Sequence, residues 1–214
     1  MGKADPYGGA VGRFYSFYIA RPRWARAVGR MLWASDLTPL YRSMEQLRQV
    51  AAGSTVLDAA CGAGLALRWL PGAGVQYIGV DISPAMVERT RSEARRLRLR
   101  DAEVVLGDIE ALPFPDAGAD VLLLYNALHC VPRPRCALAE AVRCLKPGGL
   151  LVGSMLVRGA VPRVDRLLDR DQGSRMMGPG GTAQDLEKWL QHHLMDVQLD
   201  LNGAFVVFEG VVPR

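Results

Sequence analysis

The chain has 214 residues; half are apolar, 22% are charged, and the formal net charge is +4. This composition excludes disordered, collagen-like and coiled-coil chains and suits one domain with a sizeable core. The longest apolar runs, near 121–124 and 150–156, are too short to span a bilayer.

The opening residues, MGKADPYGG, have no apolar run after the lysine, so no secretory signal is expected. Gly2 follows Met1, but residue 6 is Pro, which leaves the myristoylation pattern incomplete. The cysteines at 61, 130, 136 and 144 show no Cys-x-x-Cys spacing. Neither a zinc site nor a disulfide framework is expected, and a reducing cytoplasmic location is. Lysine occurs only at 3, 146 and 188, so arginine carries nearly all the positive charge. Its densest cluster, Arg89, Arg91, Arg95, Arg96, Arg98 and Arg100, is interrupted by Glu88, Glu93 and Asp101. At helical spacing this reads as one solvated helix face, and nucleic acid is not expected as a partner.

In chain order, residues 12–50 carry aromatics and arginines at helical spacing. They predict one or two helices, broken near Arg21–Pro22 and Thr38–Pro39. Residues 55–60 are a short strand ending in a glycine turn, and 65–70 are expected to be helical. Residues 76–82 are a strand. Ser83 and Pro84 supply an N-cap and a first-turn proline for a helix to about 99. Residues 103–109 and 119–125 are strands, and 134–145 is a helix stopped by Pro147-Gly148-Gly149. A buried strand follows over 150–157. Residues 159–181 carry five glycines and form a long connection with one helix inside it, a kind of segment that is commonly functional. Thr182 and Asp185 resemble a capping box for a helix to about 192. Asn202-Gly203 then marks a hairpin between two final strands, 197–201 and 204–212. The alternation is that of a doubly wound α/β sheet with an antiparallel pair at its end.

The chemistry centres on Val56-Leu57-Asp58-Ala59-Ala60-Cys61-Gly62-Ala63-Gly64. Glycines there let the backbone approach a ligand, and a following helix N-terminus would offer free N–H groups. Asp58 would repel a pyrophosphate and attract an ammonium. Leu67 stands where the dinucleotide fingerprint has its third small residue. Both details favour a small zwitterion over a nicotinamide dinucleotide. Asp81 ends the second strand, where a carboxylate can accept from both ribose hydroxyls. Ile82 and Met86 could face a purine, and Asp108 could accept from its amino group. Asp58, Asp81 and Asp108 thus end three consecutive strands on the ligand-binding edge of an open sheet.

The segments VLDAACGAG (56–64), GVDISPAM (79–86), GDIEALPFPDAGADVL (107–122), NALHCV (126–131) and LKPGGLLVGS (145–154) together resemble the class I S-adenosylmethionine-dependent methyltransferases. The resemblance is greatest to small-molecule enzymes of the ubiquinone and menaquinone type, and it covers about residues 54–157. It implies a Rossmann-like seven-stranded sheet in order 3-2-1-4-5-7-6, strand 7 antiparallel, with helices on both faces. Residues 1–50 would form an N-terminal helical cap. Residues 51–214 would form the methyltransferase domain, with 159–181 inserted.

By the same resemblance, Asp58, Ala60, Gly62 and Gly64 would line the methionine end of S-adenosylmethionine. Asp81 would hold the ribose, with Ile82 and Met86 beside the adenine. Gly107, Asp108 and Ile109 would meet the adenine edge, and Asn126 would lie near the sulfonium. Tyr15 or Tyr18 would reach the carboxylate. The product would be S-adenosylhomocysteine.

Methyl transfer from a sulfonium is an in-line displacement that needs alignment and exclusion of water. A base is needed only for a weakly acidic acceptor. His129 is the candidate, against a structural reading in which it bonds a neighbouring loop. His192 and His193 read as surface residues at a helix end. No metal-ligand cluster is visible. Phe14, Tyr15, Phe17, Tyr18, Trp33 and Tyr41 suggest an apolar or aromatic small-molecule acceptor, unless they only pack the helices. Met176 and Met177 with the neighbouring glycines suggest a lid. The alternatives are an inactive cofactor-binding scaffold, an RNA or protein methyltransferase, and a nicotinamide-dependent oxidoreductase; fold alone does not decide among them.

Overall fold

The computed structural model describes residues 7–70, 74–99, 101–172 and 177–214. Seven strands form one sheet: β1 (Thr55–Ala59), β2 (Gln76–Asp81), β3 (Ala102–Leu106), β4 (Ala119–Tyr125), β5 (Leu145–Leu156), β6 (Met195–Asn202) and β7 (Phe205–Val211). Their order is β3-β2-β1-β4-β5-β7-β6. Strands β1 to β5 run parallel, and β7 pairs antiparallel with both β5 and β6. The expected topology is therefore the observed one.

Side chains on the central strands alternate between two cores. On β4, Val121, Leu123 and Tyr125 enter one apolar cluster, and Leu122 and Leu124 enter the other. A strand covered on both faces needs apolar residues at every buried position, which is why 121–125 reads as a continuous apolar run, with Asp120 at the open start of the strand bonded to Lys146. The first face is covered by α1 (Ala10–Ile19), α2 (Pro22–Val28) and α3 (Thr38–Gln46), with α6 (Pro162–Gln172) contributing Val164 and Leu168. The helix α4 (Pro84–Arg96) adds Val87 and Ala94 to that face. The second face is covered by α5 (Pro134–Cys144) and α7 (Ala183–His193).

Local chemistry sets most boundaries. Ser83 accepts the Met86 amide at 3.2 Å, and Thr182 accepts the Asp185 amide at 3.1 Å. Both are the expected N-caps. Asn202 pairs with Phe205 across the final hairpin, where Gly203 has φ +60°.

The N-terminal helices are interrupted near 21–22 and 38–39, as expected: α1 ends at Ile19 and α2 starts at Pro22, and α3 starts at Thr38 after a gap, with each proline in a first turn, where its missing N–H costs nothing. Three other expectations need correction. The N-terminal region holds three α-helices and a π-helical turn at Gly29–Trp33. Residues 65–70 form only a short 3₁₀ turn, Ala66–Arg68, so no long helix follows the glycine loop. The helix after β4 ends at Cys144, and β5 already begins at Leu145, before the Pro-Gly-Gly segment.

Among the described residues, no helix is long and apolar enough to cross a membrane.

Candidate cofactor site

The site is built on the carboxyl ends of β1, β2 and β4. The backbone turns sharply after β1: Ala60, Gly62 and Gly64 all have positive φ, at 66°, 57° and 73°. The turn is pinned on three sides. The Cys61 amide donates to the Val80 carbonyl at 3.0 Å, and the Gly64 amide donates to the Cys61 carbonyl at 3.0 Å. Thr90 on α4 donates its hydroxyl to the Gly62 carbonyl at 2.7 Å. The two glycines serve different needs. A Cβ on Gly64 would lie 3.0 Å from Leu67 Cδ1 and 3.3 Å from the Thr90 backbone, so this glycine lets the loop sit on α4. A Cβ on Gly62 would meet nothing within 4 Å. Open space at a left-handed loop tip is what a ligand approaching the backbone requires.

Asp81 organises this loop. One carboxylate oxygen accepts the Gly62 amide at 2.9 Å, and the other accepts the Ser83 amide at 2.9 Å. A carboxylate oxygen has more than one acceptor position, so each can hold more than one donor.

Asp58 is buried beneath the loop. Its Oδ2 accepts the Tyr77 hydroxyl at 2.7 Å. Burial pushes its pKa up to about 7, and the nearby Asp81 charge acts in the same direction; the Tyr77 bond partly opposes them. The reach from β2 to β1 is possible because Asp58 pairs in register with Gly79. The Tyr77 ring lies over Gly79, where a Cβ would sit 3.1 Å from the tyrosine oxygen. Tyr77 is absent from the residues singled out by sequence. Its signal is the alternation Tyr77, Gly79, Asp81 on one face of β2, with the small residue making room for the ring.

Asn126, just past β4, has φ +55°, a conformation asparagine tolerates better than most residues. Its amide nitrogen donates to the Tyr15 hydroxyl at 3.1 Å, and its side-chain oxygen accepts from Ser154 at 3.3 Å. This joins α1 to the end of β4. Tyr15, Ile19, Met44, Asp58, Arg68 and Asn126 are among the residues around a cavity of about 80 Å³ over the glycine loop. Ligand sites commonly enclose roughly 300–1,000 Å³. The helix α1 covers this part of the loop.

The remaining sequence candidates separate. Tyr18 does not line this cavity; it is buried behind Tyr15 with the rings edge to face at 5.5 Å. Ile82 is 64% exposed at the end of β2, beside the buried Asp81. Met86 is buried, its sulfur 4.0 Å from Ser16 Oγ on α1. Gly107 has a packing reason: its Cβ would lie 2.8 Å from Val80. Asp108 is exposed and accepts the Glu110 amide at 2.9 Å, with Ile109 buried beside it.

His129 is buried, and its Nδ1 accepts the Leu156 amide at 3.2 Å. Desolvation holds its pKa down at about 4, so it is neutral at pH 7. It is not on the cavity wall. The geometry matches the structural reading of this histidine rather than that of a base. His193 stacks on Trp189 at 4.0 Å near the surface, as a helix-end histidine can. Of the aromatics offered for an acceptor, Phe14 and Phe17 point outward instead, and Tyr41 donates its hydroxyl to the Ile19 carbonyl at 2.6 Å. Of the lid candidates, Met176 lies outside the described residues. Met177 packs against the core, and the Gly178 amide donates to the His129 carbonyl at 2.8 Å. Among the described residues, no group of three or more His, Cys, Asp or Glu is placed to hold a metal ion.

Residues 57–153 match a family model described as a methyltransferase domain. A demethylmenaquinone methyltransferase of Tropheryma whipplei is 38% identical over 103 residues, covering 48% of this chain and 42% of that protein. Overall, the chain spans about half the length of the curated relatives it matches. Among solved structures, the complex between the Haloferax volcanii Trm112 methyltransferase activator and the putative methyltransferase matches with a TM-score of 0.70 at 19% identity, covering all of both chains. Haemonchus contortus phosphoethanolamine N-methyltransferase 2, in complex with S-adenosyl-L-methionine, matches with a TM-score of 0.69 at 14% identity, over 81% of this chain and 53% of that one. The resemblance carried by the sequence motifs is borne out: the chain is a relative of S-adenosylmethionine-dependent methyltransferases, and the fold is theirs.

Proposed function

We propose that this chain transfers a methyl group from S-adenosylmethionine to a small apolar or aromatic acceptor. The observation that carries this reading is the cavity over the glycine loop, which has both Asp58 and Arg68 in its lining. A buried carboxylate and a guanidinium around one small space suit the two charges of an amino-acid group. The open space at Gly62 and the loop-fixing Asp81 suit a nucleoside beside it. When bound, the cofactor supplies an electrophilic methyl on a sulfonium.

The chain's own residues then have these tasks. Asp58 as carboxylate attracts the ammonium, with Tyr77 holding it in place. Arg68, itself held by Glu93 at 2.8 Å, faces the carboxylate. Asp81 accepts from the ribose hydroxyls while fixing the Gly62 and Ser83 amides. Ile82, Asp108 and Ile109 lie along the sheet edge for the adenine, and Met86 supports α1 behind them. Asn126 and Tyr15 close the methionine end under α1. With α1 in place water is excluded, which favours displacement at the methyl.

The acceptor approaches through residues 1–50, which we assign as the cap on a 51–214 catalytic domain, with Tyr15, Ile19, Met44 and Tyr125 as its apolar wall. The relative named for demethylmenaquinone supports an apolar acceptor of this class. Alignment rather than proton abstraction provides the acceleration, and His129 is a positioning residue for the loop after β4. Incubation with methyl-labelled S-adenosylmethionine and a panel of quinol, phenol and lipid acceptors tests the reading. Transfer of label to an apolar acceptor supports it. Cofactor binding without transfer to any acceptor in the panel would favour a scaffold instead.

A further inference from the structure

Four large apolar side chains stand exposed on the N-terminal helices: Phe14 at 57%, Phe17 at 47%, Trp24 at 58% and Met31 at 65%. They stand on α1, α2 and the π-helical turn. Phe17 and Trp24 have ring centroids 6.5 Å apart across the α1–α2 junction. The Arg21 guanidinium lies 3.8 Å over the Phe17 ring. The same stretch is strongly basic. Residues 7–35 contain Arg13, Arg21, Arg23, Arg26 and Arg30 and no aspartate or glutamate. Arg30 meets its acidic partner, Asp36, only beyond that stretch. Exposed aromatic and apolar side chains in a stretch with five arginines and no acidic residue are the composition of a helix surface that lies in a lipid headgroup layer.

We propose that this face is a docking site for a membrane surface of anionic phospholipid. Charge complementarity selects that occupant. A second copy of the chain using the same patch would set the arginines against themselves. A single-stranded nucleic acid would need an open aromatic face for stacking, and Arg21 already covers one face of Phe17. A lipid surface requires neither: the apolar side chains enter the acyl boundary while the arginines remain among the phosphates.

The helix that carries Phe14 and Phe17 outward carries Tyr15, Ser16 and Ile19 inward on the cavity wall. Docking would therefore hold the cavity mouth at the lipid. That consequence rests on the proposed apolar acceptor; the docking itself does not.

Sedimentation of the full chain with vesicles tests it, comparing pure phosphatidylcholine with phosphatidylcholine containing phosphatidylglycerol. The expected result is binding to the anionic vesicles that weakens with added salt, with little binding to the neutral ones. Replacing Trp24→Ser and Met31→Ser together should weaken it about tenfold or more. Replacing Arg13→Ala and Arg23→Ala, both exposed, should weaken it about fivefold for each arginine. Retained S-adenosylhomocysteine binding by the variants shows that they fold and separates this test from the methyltransferase reading. The proposal is overturned by failure to bind anionic vesicles, by equal binding to neutral ones, or by binding that neither pair of substitutions alters. It is also overturned if light scattering finds a dimer that Trp24→Ser with Met31→Ser dissolves, or if a single-stranded oligonucleotide displaces the vesicles.

Discussion

The glycine loop and the N-terminal helices enclose the same cavity by opposite means. The loop is fixed by polar bonds to its own neighbourhood: Asp81 to Gly62 and Ser83, Thr90 to Gly62, Cys61 to Val80. The helices are fixed by a broad apolar face and by single, scattered polar links to the sheet, among them Asn126–Tyr15, Ser43–Tyr125 and Asp36–Asn202. Directional bonds give a surface that presents the same atoms each time, which suits cofactor recognition. Packing of a helix through one apolar face permits displacement at modest cost, which suits a cover that must admit a ligand.

The sharpest way to break this contrast is at the loop. Gly64→Val puts a branched side chain at φ +73° against Leu67 and Thr90. It should cost about 2–3 kcal/mol of stability, from backbone strain and overpacking, read as a lower denaturation midpoint. A neutral effect would mean the loop is not held as described.

The titration of the buried groups comes next. His129 has a folded pKa near 4 against 6.5 as an ordinary imidazole. The unfolded chain binds its proton first, so this group's contribution is present above pH 6.5 and is lost as pH falls toward 4. Asp58 acts in reverse: its folded pKa is near 7 against 3.8, so the folded state binds the extra proton. Its contribution is present at low pH and is lost as pH rises toward 7. The two slopes oppose one another over about pH 4–6.5. Asp58→Asn should expose the histidine slope, with stability about 2 kcal/mol lower at pH 5 than at pH 7. Urea titrations at the two pH values check it, and an unchanged slope would contradict the assigned environments.

A smaller effect isolates Tyr77. Without its hydroxyl, Asp58 is protonated more readily, so Tyr77→Phe should weaken S-adenosylhomocysteine binding several-fold at pH 7 and recover toward wild type at about pH 8.5. A purely structural role would lower affinity equally at both. The smallest expected effect is on the helical side. Tyr15→Phe removes one neutral bond to Asn126 and should weaken binding only about twofold, without a pH dependence. An effect larger than that of Tyr77→Phe would reverse the contrast between rigid loop and movable cover.

The two regions also differ in how far the sequence revealed them. The strands, both N-caps and the final hairpin depend on local signals: Asp at strand ends, Ser83 and Thr182 before apolar periodicity, Asn-Gly between two apolar runs; the strand order was implied only by the family resemblance. The pair Asp58 and Tyr77 was invisible because it forms between strands whose register only the fold determines. The 3₁₀ turn at 66–68 was read as a helix because its apolar residues serve packing under the loop, not a helical stripe. Prolines 22 and 39 mark both interruptions of the N-terminal helices, each by starting the next helix. Aromatics at helical spacing on α1 did not reveal which face was turned inward. Tyr15 lines the cavity, Tyr18 supports it, and Phe14 and Phe17 face outward.

The central claim is that Asp81 and the loop it fixes form an S-adenosylmethionine site. Calorimetric titration with S-adenosylhomocysteine, with a nicotinamide dinucleotide as control, addresses it directly. The account predicts that wild type binds the first and not the second, and that Asp81→Ala, still folded, binds about 100-fold more weakly. Equal affinity of the Asp81→Ala protein, or preference for the dinucleotide, would contradict it.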